Sequence, residues 1–143
     1  MVPKFRAWDK RENTMRDVAV LHFTKGGKVN SIEYWNTPFD LKSYHVRNLV
    51  LMQSTGLKDL KGVEIYEGDI VQSTWYDVDN NPYKKKGEIT FVGAQYVIVY
   101  DSQFDVETGE ITYDAHSLTY AEDVEVIGNI YENPELLEQA NES

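Results

Sequence analysis

Cysteine is absent from the 143 residues, which removes disulfides, thiolate metal sites and Cys nucleophiles together and fits a reducing compartment. Long apolar runs are absent too. The opening Met1-Val2-Pro3-Lys4-Phe5-Arg6 has no signal-peptide core and no stretch approaches a membrane span, so the expected setting is cytoplasmic, without a membrane partner. There is no Ser-centred nucleophile elbow, phosphate loop or dinucleotide fingerprint. His22, His45 and His116 stand apart, with no metal-ligand spacing. The expectation is a protein with no catalytic residues, metal or cofactor, because an active site would have to be gathered from residues that no local spacing advertises.

Positive charge is missing from one half. All fourteen Lys and Arg lie in residues 1–86, where eleven acids leave +3, whereas residues 87–143 hold thirteen acids and no base. Such asymmetry bears on association, because complementary faces steer encounter. If strands from the two halves interleave, the charges mix over one surface. If they segregate, head-to-tail self-association becomes attractive.

What is present is strand and turn patterning. A hydrophobic fraction of 41% with ten Tyr and three Trp sets the chain apart from disordered compositions and favours sheet. Residues 5–8 and 15–23 are strand-like and joined by a polar turn cluster, and 29–35 follows Gly26-Gly27, a pair suited to a hairpin tip. These three runs predict an antiparallel meander. Thr37-Pro38-Phe39-Asp40 then interrupts the pattern, since proline removes a ladder donor. Residues 45–52 fit either a strand or a helical turn. The expected organisation is an N-terminal β subdomain over 1–48 and a second body over 49–143, folding as one cooperative unit.

The second body reads as a small β-barrel, with strands at 70–75, 87–92, 96–100, 111–113 and 124–131. Asn133-Pro134-Glu135-Leu136-Leu137 reads as the start of a short C-terminal helix. Between 51 and 71 the sequence runs LMQSTGLKDLKGVEIYEGDIV, with Gly56, Gly62 and Gly68 at steps of six, and it is answered by EVIGNIYENPELL over 125–137. Together with the opening Phe5-Arg6-Ala7-Trp8-Asp9 and Met15, these blocks resemble the YopX family of bacteriophage and prophage proteins. The resemblance implies a mainly β fold with an SH3-like barrel and a phage or prophage setting. It implies no catalytic residues.

Several clusters invite a chemical reading. Asp77, Asp79, Asn81 and Glu88 reproduce the spacing of an EF-hand calcium loop, but Pro82 stands where the loop needs glycine, three lysines crowd it and the flanks read as strands. Lys84, Lys85 and Lys86 beside Tyr83 form a basic hairpin tip that could contact phosphate and stack a base, weakly and with steep salt dependence. Trp35 and Trp75 are candidate interface anchors. Gly56, Asp59, Gly62, Gly68 and Asp69 read as turn residues, the carboxylates accepting backbone N–H bonds, and Glu64 and Glu67 beside Asp69 fit that reading better than an acid/base pair. The leading functional expectation is a non-catalytic phage accessory protein that binds a protein partner or itself. The alternatives are a weak nucleic-acid module on the basic half, or an acidic nucleic-acid mimic.

Overall fold

The computed structural model describes residues 4–118 and 123–139, and for 101–104, 111–113 and 139 the backbone alone. The protein is mainly β, with two antiparallel sheets and one short helix. The chain divides into two compact units, Met1–Ser54 and Thr55–Ser143. The division falls inside one strand, whereas Pro38-Phe39 is the turn of a hairpin in the first unit.

In the first unit β1 (Phe5–Asp9), β2 (Thr14–Phe23), β3 (Val29–Thr37) and β4 (Asp40–His45) form a meander, and the start of β5 (Leu49–Lys58) pairs with β1, in the order β4-β3-β2-β1-β5. Residues 45–52, open to two readings in the sequence, contain both: a 3-10 turn at Val46–Asn48 and then β5. Alternation puts Ala7 of β1 and Ile32 and Tyr34 of β3 on one face, where they pack with Leu49, Val18, Leu21 and Tyr44. Complete burial of Ile32 contributes roughly 1.5–3 kcal/mol. Register shifts between Val18 and Val20 and between His22 and Phe23 re-aim β2, so that Val20 and Phe23 stay exposed.

The second unit carries β6 (Glu64–Tyr66), β7 (Asp69–Tyr76), β8 (Pro82–Val92), β9 (Gln95–Phe104), β10 (Ile111–Ser117), β11 (Val124–Asn129) and the helix α1 (Glu135–Gln139). Its sheet runs β10-β9-β8-β7-β11. One face buries Val71, Ile89, Ile98 and Val124, together with Leu118 and with Ile65 of β6. Gly87 lets β8 approach β9: a Cβ there would lie 2.6 Å from Ile98 Cγ2 and 2.9 Å from the Val99 carbonyl. No closed barrel is found among the described residues. Among the described residues β10 and β11 remain the two edges of an open five-stranded sheet, and no ladder closes it.

The turns before β7 are held by short side chains. Gly62 and Gly68 in these turns, and Gly56 inside β5, all take positive φ, between 80° and 87°, a backbone region costly for any residue with a Cβ. Buried Asp59 accepts from the backbone N–H of Lys61 and Val63 through Oδ1 and from Val126 through Oδ2. Burial, the largest single influence, would raise its pKa; the three N–H donors, with the Lys61 charge, together outweigh it and hold the carboxyl below the ordinary range. Asp69 Oδ2 accepts from Tyr66 N at 2.7 Å.

Candidate functional site: an aromatic box around Lys85

The three lysines lie along β8 and not at a hairpin tip, which is formed by residues 77–81. There Asp77 Oδ1 accepts from Asp79 N and Asn81 N, so the first carboxylate of the calcium-like spacing is committed to its own turn. Glu88 stands well inside the strand, and among the described residues no cluster of His, Asp and Glu suits a metal ion. Strand alternation separates the basic run: Lys85 shares the core-side face with Gly87 and Ile89, while Lys84 and Lys86 point the other way. Lys84 Nζ donates to Thr74 Oγ1 at 2.7 Å.

Lys85 enters a box made by three other strands. Its Nζ lies 4.5 Å from the Trp75 ring centroid and 4.6 Å from that of Tyr100, and it donates to Asp114 Oδ2 at 2.6 Å. Two aromatic faces and a carboxylate thus surround one ammonium. Trp75 and Tyr100 meet edge to face with centroids 5.5 Å apart. His116 adds a third wall, 5.0 Å from Trp75 and 5.5 Å from Tyr100, with Nε2 at 3.0 Å from Asp114 Oδ1.

Buried Ser73 fixes the two larger rings. Its hydroxyl accepts from Trp75 Nε1 at 2.8 Å and shares a hydrogen bond of 2.8 Å with Tyr100 Oη. Register explains the meeting: Ser73 pairs directly with Lys85, so residues two apart on β7 flank the lysine stem. A bulge opposite Asp114/Ala115 makes Tyr100 the extra residue of β9 and turns it toward the box. The hydrogen bond from Lys85, more than any other influence, keeps the Asp114 carboxyl below its ordinary pKa.

The box opens into a cleft of about 320 Å³ lined by Ser73, Trp75, Ile98, Tyr100, His116 and Asp123. On the opposite face of the same sheet, Glu88, Thr90, Val97 and Val99 line a second depression of about 480 Å³. Burial raises the Glu88 pKa there, and the charge of Glu67 adds to the rise against a hydrogen bond from Thr90.

The first unit has its own features. Trp35, 47% exposed, borders an open groove of about 600 Å³ with Phe5, Val20 and Phe23. Arg11, Ser43, Tyr44, His45, Arg47 and Asn48 line a basic hollow of about 320 Å³, with the Arg11 guanidinium 4.4 Å over the Tyr44 ring. His22 pairs with Glu33, and His45 Nδ1 accepts from Arg47 N. The structure therefore joins Trp75 to Lys85 and leaves Trp35 in the other unit.

Sequence reasoning missed Ser73, Tyr100, Asp114 and His116. The same-face spacing of Ser73 with Trp75 and of Asp114 with His116 was available as a signal; the register that unites them was not. It also missed Asp9, whose wholly buried carboxylate accepts from Arg11 N and Glu12 N and pairs with Arg16 at 3.3 Å.

Fold and site define a small, all-β protein of two antiparallel sheets with a cation-filled aromatic box. Its sequence matches the family described as YopX protein over residues 4–138, and the chain belongs to that family. The crystal structure of protein EF1440 from Enterococcus faecalis is similar, with a TM-score of 0.61, 28% identity, and coverage of 96% of this chain and 99% of that one. No curated protein matches. No helix among the described residues is long and apolar enough to cross a membrane.

Proposed function

We propose that this YopX-family protein is a non-catalytic phage or prophage accessory module that works in the host cytoplasm by binding another protein or further copies of itself. In this reading the open five-stranded sheet is an SH3-like body that presents side chains to a partner. One observation carries the proposal. The two compact units are oppositely charged: residues 1–54 hold nine Lys and Arg against five acids, net +4, and residues 55–143 hold five Lys against nineteen acids, net −14. Opposite charge on separate units gives two copies, or a copy and a charged partner, a directed electrostatic attraction. The exposed Trp35 and Phe23 of the first unit supply apolar contact that charge alone lacks. The commitment of Asp9, Asp59, Asp69 and Asp77 to backbone donors supports a structural task for these acids.

Light scattering at about 20 mM and about 500 mM salt, which spans strong to negligible screening of surface charge, tests the proposal. Complexes present at low salt should dissociate at high salt. A monomer under both conditions, together with no protein captured on the tagged chain from prophage-bearing cells, refutes it.

A second reading is favoured by the basic hollow of the first unit, in which Arg11 and Arg47 suit phosphate of a nucleic-acid backbone. Under it, Arg11→Ala with Arg47→Ala weakens single-stranded DNA or RNA binding and flattens its salt slope. No binding by the parent chain at low salt rejects that reading.

A further inference from the structure

We propose that Trp75, Tyr100, His116 and Asp114 form a receptor site for a lysine ammonium presented by a partner protein, and that Lys85 fills this site in the unbound chain as an internal ligand. The inference rests on the protein-binding reading for the origin of the ligand and on geometry for its chemistry.

The contacts around Lys85 exceed what holding a strand requires. A surface lysine paired with a carboxylate contributes little and needs no aromatic walls. Here ring faces at 4.5 and 4.6 Å and an oxygen at 2.6 Å replace much of the ammonium's hydration, the arrangement that recognises alkylammonium groups. The two larger walls are held by bonds that do not involve the lysine. Ser73 holds Trp75 and Tyr100 through its single hydroxyl, and His116 is braced on Asp114. A site whose parts are positioned by bonds to one another is organised before a ligand arrives.

Exchange of the occupant is sterically open. Asp114 and His116 are each 45% exposed along their side chains and Lys85 is 26% exposed. The three rings also border the 320 Å³ cleft, which leaves room for an incoming chain beside the resident lysine. Lys85 sits on a flexible four-carbon stem and can swing out as a single side chain, with no change in the ladder. The charge of the second unit, net −14, selects a basic partner segment over an acidic or neutral one.

Removing the internal competitor should therefore improve binding. A tethered ligand acts at millimolar effective concentration, so its loss multiplies the apparent affinity for an external ammonium by one plus the ratio of that concentration to the site's dissociation constant, about tenfold for a site of ~0.1 mM. The probes are a capped Gly-Lys-Gly peptide, its trimethyl-lysine form and a Gly-Arg-Gly control. The readout is the NMR signal of the Trp75 indole N–H, assigned with Trp75→Phe. Lys85→Met, which keeps an apolar stem, and Lys85→Ala should bind the lysine probes about tenfold tighter than the parent, and Asp114→Asn in the Lys85→Met background should reverse the gain. A preference for the trimethylated probe would identify the partner's lysine as methylated, within the same proposal.

Lysine probes bound no better by either Lys85 variant than by the parent would overturn the proposal, as would tighter binding of the arginine control. Should both variants fail to fold, the parent titrated with the lysine probe to high concentration still decides: the Trp75 signal must move saturably if the ammonium enters the box. The peptide titration and the salt-dependent light scattering are independent. A silent box in a chain that still self-associates removes this inference alone, and the converse removes the charge-driven association alone.

Discussion

Replacing Asp59 by Asn exchanges one oxygen for an NH2 group and changes little else, so it isolates what the second carboxylate oxygen does. In the protein Oδ1 receives N–H groups from Lys61 and Val63 at 2.9 and 2.8 Å, and Oδ2 receives that of Val126 at 2.9 Å. The amide can keep the first two partners on its oxygen but must then turn its NH2 toward the Val126 N–H, donor against donor. A lost charge-assisted bond with an unsatisfied buried donor costs about 2–3 kcal/mol. Asp59→Ala forfeits all three bonds and should cost about 3–5 kcal/mol. For a unit of this size each kcal/mol moves the melting temperature by about 4–8 °C, so the Asn variant should melt roughly 10–20 °C below the parent in the second unit's transition. The effect has a pH signature of fixed sign. The folded carboxyl titrates below the ordinary range, so its contribution is fully present above the unfolded value of about 3.9 and is lost as pH falls through the lower, folded value. Urea titrations at a series of pH values should show a constant gap between parent and Asn variant from pH ~7 down to ~5, narrowing below ~4. A variant within about 0.5 kcal/mol of the parent at neutral pH, or a gap indifferent to acid, would refute the claim that this side chain fastens the 59–63 turn to β11.

Gly87→Ala should destabilise the second unit by about 1–3 kcal/mol through overpacking, because the new methyl meets the Val99 carbonyl at 2.9 Å and Ile98 Cγ2 at 2.6 Å; calorimetry showing an unchanged transition would mean that β8 and β9 do not approach so closely. Asp9→Ala leaves Arg16 and two backbone donors without their carboxylate and should cost about 2–4 kcal/mol. That loss should fall on the first unit, accelerating hydrogen exchange in β1 and β5 while β7 to β9 keep their protection; uniform loss across the chain would contradict the assignment of Asp9 to the first unit's structure.

Much of the fold was legible because the features involved are local. Gly62 and Gly68 stand among polar residues just before strands and both take positive φ in turns, whereas Gly56 takes it inside β5. Strand positions follow from alternation, as with Ile32 and Tyr34, whose period of two matches their shared burial. β4 was hidden, because of Asp40-Leu41-Lys42-Ser43-Tyr44-His45 only Tyr44 is even partly buried and the segment follows a proline turn. Its pairing with β3 supplies the order that its own hydropathy does not. Barrel closure is not decided by the sequence for a related reason: short hairpins in succession are compatible with an open or a closed sheet, and the difference lies in whether the two edge strands find each other.

The box shows where reading along a chain reaches its limit. Lys84, Lys85 and Lys86 are one run in sequence and two faces in space, since a strand sends neighbouring side chains to opposite sides. A basic run is thereby taken apart by its own secondary structure, and only its middle member meets Trp75. The partners come from β7, β9 and β10, so their convergence depends on three registers and on a bulge at Tyr100. None of these can be deduced from residue types at fixed spacing. Charge behaves in the opposite way. Net charge sums over a unit regardless of register, so once the chain divides at Ser54 the separation that residues 1–86 and 87–143 display becomes +4 against −14. Long-range attraction between copies or partners is therefore anticipated by composition, while the short-range recognition that would follow it resides in the geometry of a few side chains around one ammonium.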